Sequence, residues 1–314
     1  MAYQTATATD ATDLLDKLRL FLLASGWSVD NWADFGAVTR KTLTVHKGAF
    51  YVTFRSQTDG STTTSDPAPY LGVIGHSGYS SGTLVQESPA TRCNALSGPF
   101  VAYDFFEGQG KDGPYIHVVV ETASGVFKHF GSGILNREGV YTSGQYVYAQ
   151  SYNYGTAGST HFASDADHNS HAVPFDNRGS TVWGSVRADA DGVSPAWHQG
   201  RTGANYLIAG FSGGPASAAG SSAPIGGPSR AAPSSLTGRT ALWPLWCLIP
   251  RPSGFYSPAG YPADMRYIRL DNYNPRDILT LGADQWKLFP VIRKNGVNGE
   301  PNSGTYGYAF RVNA

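Results

Sequence analysis

Two serines in this sequence stand in the pattern Gly-x-Ser-x-Gly, which presents a nucleophile on a strand-to-helix turn in α/β-hydrolases. Ser212 is at the centre of residues 210–214, and Ser80 is at the centre of residues 78–82. In that fold an acid and then a histidine follow the serine along the chain. None of the eight histidines follows Ser212, and the stretch GPASAAGSSAPIGGP after it is a poor helix former. Histidines do follow Ser80, but no convincing helix does, so the sequence favours neither serine as a nucleophile.

A second glycine pattern, GQGKDG at residues 108–113, matches the loop that binds dinucleotides. That loop must open a helix, because the helix N-terminus holds the pyrophosphate. Here the strand-like PYIHVVVE follows, entered through a proline. We therefore predict a β-turn at residues 108–113 and no dinucleotide cofactor.

The polar segment SDADHNSHAVPFD contains the only metal-site candidates that the sequence offers, and they are weak. Asp165, Asp167, Asn169 and Asp176 have nearly the spacing of calcium ligands in an EF-hand loop. The sixth loop position is a serine where the turn needs glycine, and the last ligand is an aspartate where a glutamate would bind through both oxygens. Nitrogen ligands for a transition metal are available nearby at His161, His168 and His171. A polar surface loop is the preferred interpretation, so we predict no metal, no cofactor and no catalytic residue.

The elements that would position any such group are mostly strands, preceded by one amphipathic helix. Leucines and a phenylalanine recur at helical spacing in DLLDKLRLFLLASGW, with Thr9, Asp10 or Thr12 as N-cap and Gly26 closing the helix. Two hairpins are predicted, with turns at residues 47–48 and 123–125. Further strand candidates are YLGVIG, FVAYDFF, QYVYAQSY, STVWGSVRA, NYLIAGF, ALWPLWCLI, DMRYIRL, DQWKLFPVI and TYGYAFRV.

These elements predict an α+β, mainly β fold, in which the N-terminal helix packs on antiparallel sheets in a sandwich or barrel-like arrangement. Residues 213–238 are rich in Gly, Ala, Pro and Ser, with few charges, and are predicted to form a long loop, linker or arm. The domain prediction is a helix and β-rich body over residues 1–212, this arm, and a C-terminal β segment over residues 239–314 that completes the same body.

The composition restricts the class of partner. Charged residues make up 15% of the chain, against about 25% in an average soluble domain, and the formal net charge is zero. Neutrality without a basic cluster argues against nucleic acid as a partner. No apolar run is long enough for a transmembrane helix, and the first residues do not resemble an export signal. Few charges and many aromatic residues favour a surface that contacts other protein, although a β-rich monomer would also be rich in aromatics.

The two cysteines, Cys93 and Cys247, are far apart in the sequence and do not form a disulfide framework. Two reduced, buried thiols are favoured over a single pairing. The aromatic strands could also present a sugar-binding face, but core or subunit interface is the preferred interpretation of these residues.

Four segments together resemble structural proteins of the tailed-phage virion. They are DLLDKLRLFLLASGW, IGHSGY, GVFKHFGSGILNREGVYTSGQYVYA, and the closing DQWKLFPVIRK with SGTYGYAFRV. In these virion proteins a leading helix that ends in Gly-Trp precedes a β-rich body with a central HFG segment and a closing GYA segment. The resemblance implies a subunit of the tail, baseplate, neck or collar, and it implies no catalytic residues.

Three functions therefore remain open, in order of preference. The first is a non-enzymatic structural subunit of a tailed-phage virion, in the baseplate or tail tip or in the neck or collar. Such a subunit would be made in the host cytoplasm and would bind copies of itself and other virion proteins. The second is a virion protein that binds a receptor or carbohydrate through an aromatic groove. The third is a hydrolase that degrades the host envelope, since catalytic triads occur in other chain orders on other folds.

Overall fold

The computed structural model describes residues 1–58, 69–150, 184–189, 195–199, 237–238, 240–250, 256–295 and 305–313. Within these ranges the chain forms one helix, α1 (Ala11–Ala24), and 21 strands. The strands before the middle of the chain are β1 (Ala2–Ala6), β2 (Ser28–Phe35), β3 (Ala37–Lys47), β4 (Phe50–Gln57), β5 (Tyr70–His76), β6 (Gly78–Ser80), β7 (Thr83–Val85), β8 (Thr91–Asn94), β9 (Ala102–Gln109), β10 (Pro114–Ala123), β11 (Val126–Arg137) and β12 (Ser143–Ala149). The later strands are β13 (Gly184–Ala188), β14 (Ala196–Gln199), β15 (Trp243–Pro244), β16 (Cys247–Pro250), β17 (Tyr256–Pro262), β18 (Met265–Arg269), β19 (Ile278–Leu281), β20 (Asp284–Pro290) and β21 (Tyr306–Arg311).

The predicted helix is confirmed, and its ends have local causes. Asp10 is the N-cap, and its carboxylate accepts hydrogen bonds from the backbone N–H groups of Thr12 and Asp13, both at 2.8 Å. These bonds satisfy two free donors at the helix start, and Asp13 in turn accepts a bond from the Thr9 N–H at 2.7 Å. After the helix, Gly26 has a φ of +81°, which glycine adopts without a steric cost.

All observed strand pairs are antiparallel. A nine-stranded sheet contains β1-β9-β10-β11-β12-β13-β14, with β17 paired to β11 and β16 paired to β17. A five-stranded sheet has the order β2-β3-β4-β5-β8, and a second has the order β15-β18-β21-β20-β19. Both predicted hairpins are confirmed, as β3–β4 and β10–β11.

The nine-stranded sheet is covered on both faces, and alternating side chains of β10 separate the two cores. Ile116 and Val118 belong to the core formed with α1 and the sheet β2-β3-β4-β5-β8. Val119 points the other way and belongs to the core that includes Phe289 of β20 and Phe310 of β21. This arrangement confirms a mainly β, sandwich-like fold with one packed helix, and the described strands close no barrel.

The sequence patterns missed several strands, including β1 and β17. β1 is short and polar, and it is stabilised by pairing with β9 across about a hundred residues, where the Tyr3 ring lies 5.1 Å from that of Phe106. β17 contains prolines and pairs with β11 at residues 135–137. Gly260 of β17 has a φ of +135°, and a Cβ there would lie 2.2 Å from the Asn136 carbonyl oxygen. Only glycine permits this close approach.

Candidate functional site

Ser80 lies at the end of β6, in the small hairpin that β6 forms with β7. The turn after it contains Ser81 and Gly82, both with positive φ, and leads into a strand. A nucleophile elbow needs a helix at that point, because the helix N-terminus and the turn together present the serine. The local backbone around Ser80 therefore does not form an elbow.

The buried histidines are engaged by groups other than a serine. His76 contacts Thr53 Oγ1 through Nε2 at 3.0 Å and the Gly78 carbonyl oxygen through Nδ1 at 2.8 Å. His117 contacts the Ala263 carbonyl oxygen at 3.0 Å, and His129 contacts the Pro290 carbonyl oxygen at 2.9 Å. Burial lowers the pKa of His117 and of His129 to about 4, so both rings are neutral at pH 7. They are parts of the aromatic core.

The other predicted site residues lie outside the described ranges. These are Ser212, the metal-ligand candidates Asp165, Asp167, Asn169 and Asp176, and the histidines 161, 168 and 171. Residues 213–236 of the predicted arm are outside them as well. In the part of the chain that the structure describes, no group of three His, Cys, Asp or Glu side chains is placed to hold a metal ion.

Within the predicted turn 108–113, residues 110–113 connect β9 to β10, and residues 108–109 are the last paired residues of β9. Asp112 of this turn accepts a hydrogen bond from Arg137 Nη2 at 3.0 Å and another from the Arg137 backbone N–H at 2.8 Å. The turn is thus fixed to the end of β11, and its backbone leads into a strand.

Cys93 and Cys247 are both buried free thiols, and they belong to opposite cores. Burial raises the pKa of Cys93 to about 12 and raises that of Cys247 as well. A neutral thiol in an apolar environment is a poor nucleophile, so these residues act as small core side chains.

A buried ionic cluster joins the nine-stranded sheet to the sheet that contains β19 and β20. Asp104 of β9 is fully buried, and it accepts hydrogen bonds from Tyr3 (2.7 Å), Lys287 (2.9 Å) and Arg276 (2.7 Å). Arg276 also donates to Glu121 of β10 at 2.9 Å. The negative charges of the two acids equal the positive charges of the two cations. Charge-assisted hydrogen bonds stabilise each carboxylate in such a cluster. The cluster fixes the position of β20 on the central sheet.

Two backbone carbonyl groups just after β20 also accept hydrogen bonds at this joint. The Gln150 side chain donates to the Val291 carbonyl oxygen at 2.9 Å, and the Phe127 N–H donates to the Ile292 carbonyl oxygen at 2.8 Å. Beside them, tyrosine rings lie over glycines of β11. A Cβ on Gly133 would lie 2.7 Å from Tyr115 Cβ, which explains why the segment reads HFGSGIL. The central and closing segments of the virion resemblance therefore meet at this joint, whereas the helix segment belongs to the opposite core.

One cavity of about 500 Å³ opens where strand ends and turns of two sheets meet. We call it the cationic groove and define it by Lys47, Ser77, Asp112, Arg137, Gln145 and Arg187, which line it together with smaller and apolar residues. Its aromatic lining residue, Phe50, is 4% exposed and belongs to the core. The described lining thus combines apolar residues with three cations and one acid, and it lacks the exposed aromatic surface of the predicted groove for sugars.

Apolar side chains are exposed on β19, the last strand of its five-stranded sheet. Ile278 is 49% exposed and Leu281 is 46% exposed. Among the described strands β19 pairs only with β20, and we call its other edge, which no described strand pairs with, the open edge. A second exposed apolar pair, Leu20 and Leu23, lies one turn apart on the outer face of α1. In each of these two pairs, exposed apolar side chains lie on one described element.

None of these features had a clear signal in the sequence. Lys47, Arg137 and Arg187 are separated by 50 residues or more and look like ordinary strand-end cations. The strand ILTL was missed because it is short and lies between loop-like residues.

No described helix has both the length and the apolar character that crossing a membrane requires. A scan against protein-family models and a search of curated proteins found no match to the chain.

Proposed function

We propose that the chain is a structural subunit of a tailed-phage virion that assembles with copies of itself and with other virion proteins. The observation that supports this most directly is the open edge of β19. An uncharged edge strand with exposed apolar side chains favours pairing with a strand of another chain, and monomeric proteins usually avoid such edges with charges or proline.

The composition supports the same function. Charged residues are few and the net charge is zero, so a free monomer would have little electrostatic protection against association. Burial of apolar surface at about 25 cal/mol per Å² would drive assembly, and obligate interfaces are typically large and apolar. In this proposal, rings of identical chains at the baseplate, tail tip, neck or collar bury β19 and the outer face of α1.

The test is self-association of the purified chain, measured by sedimentation velocity over a range of concentrations. The double variant Ile278→Lys/Leu281→Lys places charges on the open edge of β19. We expect it to raise the dissociation constant at least tenfold, which corresponds to about 1.4 kcal/mol.

The matched control is Val101→Lys, since Val101 is 48% exposed and lies before β9. This control should associate like the unaltered protein. A chain that stays monomeric at high concentration, and that mass spectrometry does not find in phage particles, would contradict the proposal.

A receptor- or carbohydrate-binding virion protein is the second candidate function, and the cationic groove is the observation that favours it. This binding function is compatible with a structural role, because a ring of subunits can present a ligand site on each copy. The groove and β19 share no lining residue, so the two functions can be tested separately.

A further inference from the structure

The cationic groove contains one cation that no described acid neutralises. Lys47 Nζ lies 2.7 Å from Glu107 Oε1, and Arg137 is paired with Asp112. Arg187 forms no ion pair with an acidic side chain among the described residues. Its one described side-chain hydrogen bond is from Nη2 to the amide oxygen of Gln86. The positive charge of Arg187 is therefore left without a partner of opposite sign in the described structure.

The Arg187 guanidinium is partly enclosed, and its Nε donor is buried without a hydrogen-bond partner. Leaving such a donor unsatisfied costs about 1–3 kcal/mol. Burial also lowers the pKa of Arg187, since no nearby acid compensates for the loss of solvent. An anion in the groove would supply the missing charge.

The Gln86 residue whose side chain binds Arg187 is itself held by its neighbours. Ser77 Oγ donates to the same Gln86 amide oxygen at 3.2 Å, and Trp197 Nε1 donates to the Gln86 carbonyl oxygen at 2.7 Å. Trp197 itself lies over Gly75, where a Cβ would come within 2.4 Å of the indole ring. A preorganised guanidinium loses little entropy when it binds an oxyanion, which favours binding.

We propose that the cationic groove binds a small, hydroxyl-rich ligand through one oxyanion group, a carboxylate or a phosphate, which Arg187 holds. The volume of about 500 Å³ lies within the range of small-molecule sites and admits a sugar unit. Arginine presents a planar pair of donors that matches either oxyanion.

The remaining groove residues suit the hydroxyl groups of such a ligand. Ser77, Thr142 and Ser143 contribute hydroxyls to the lining. Gln145 is 4% exposed, and its amide donates to the Tyr51 carbonyl oxygen at 2.6 Å, so this wall is rigid. Asp112 is held by Arg137 and can accept a hydrogen bond from a ligand hydroxyl. This site is separate from the assembly surface on β19.

The test is calorimetric titration with three probes that share a sugar ring: glucuronate, glucose 6-phosphate and glucose. We expect millimolar or tighter binding of at least one anionic sugar and at least tenfold weaker binding of glucose. Glucuronate alone would identify a carboxylate ligand, glucose 6-phosphate alone a phosphate ligand, and both together a site for either oxyanion. Raising the salt concentration should weaken the binding of the anionic probe.

Arg187→Gln should weaken the anionic probe at least tenfold and leave the weak glucose signal unchanged. Arg187→Lys keeps the charge but loses the paired donors, so we expect its affinity for the anionic probe to be intermediate. This variant also tests the proposal if Arg187→Gln fails to fold. Arg19→Gln, which removes an arginine that pairs with Asp16 on α1, is the matched control and should bind like the unaltered protein. Equal binding of glucose and the anionic sugars, or no binding of any probe, would overturn the proposal.

Discussion

Removing the carboxylate of Asp104 should destabilise the whole fold, because this group neutralises two cations at the joint between two sheets. The Asp104 side chain is fully buried, while that of Lys287 is 12% exposed and that of Arg276 is 25% exposed. In Asp104→Ala both cations lose a hydrogen-bonded partner inside the protein. Breaking a buried pair in this way typically costs 3–5 kcal/mol. Since Arg276 keeps Glu121 and some solvent, we expect about 3 kcal/mol.

The matched control is Asp16→Ala, which removes an ion pair with Arg19 at a similar distance but on the exposed face of α1. Exposed pairs contribute about 0.2–1 kcal/mol, so this variant should change stability little. The free energy of unfolding is measured by urea denaturation, with fluorescence and circular dichroism as independent probes.

A double-mutant cycle separates the pairing energy from the loss of packing. Lys287→Met removes one cation and keeps most of the volume, and the cycle with Asp104→Ala should give a coupling energy of at least about 1 kcal/mol. If Asp104→Ala costs no more than Asp16→Ala, or if the coupling is zero, the cluster does not hold the sheets together and this reasoning is refuted.

Three further predictions concern the two cores. Burial lowers the pKa of His117 and His129 to about 4 from 6.5, so between these pH values the unfolded chain binds more protons than the folded one. The stability contributed by the neutral rings should be fully present above about pH 6.5 and fall by up to roughly 3 kcal/mol per ring toward pH 4. Urea midpoints that do not change over this range would contradict the prediction. Gly133→Ala should cost about 1–3 kcal/mol by thermal or urea unfolding, because its Cβ would overlap the next strand, whereas Gly72→Ala, with no atom nearer than 3.7 Å, should cost clearly less. Both cysteine thiols should resist a thiol reagent in the native state and react fully in denaturant, since burial raises their pKa; rapid reaction of the folded protein would show that a core is open.

Local signals in the sequence predicted much of the scaffold correctly. The apolar spacing of α1 and the turns of two hairpins each depend on residues close together in the chain. For the N-cap the sequence left Thr9, Asp10 and Thr12 open, and the structure selects Asp10. The same local reasoning correctly placed a turn within residues 108–113, because a strand follows it, although residues 108–109 belong to β9. β1 was missed because its partner β9 lies about a hundred residues away and β1 is short and polar. β17 was missed because its prolines and glycine give it little strand character of its own.

The sequence by itself determined a β-rich chain with one capped helix and a charge-poor, neutral composition, because propensity, periodicity and charge are properties of neighbouring residues or simple sums. Only the tertiary structure decided which charged residues pair between the sheets and which line the groove. Asp104 and Lys287 are 183 positions apart, and Arg187 looks in sequence like any other strand arginine. Packing of one sheet against another brings the first two together, and it leaves the third in a groove where no acid among the described residues pairs with it. The energy of a charge depends on its partners and its solvent, and non-local packing fixes both.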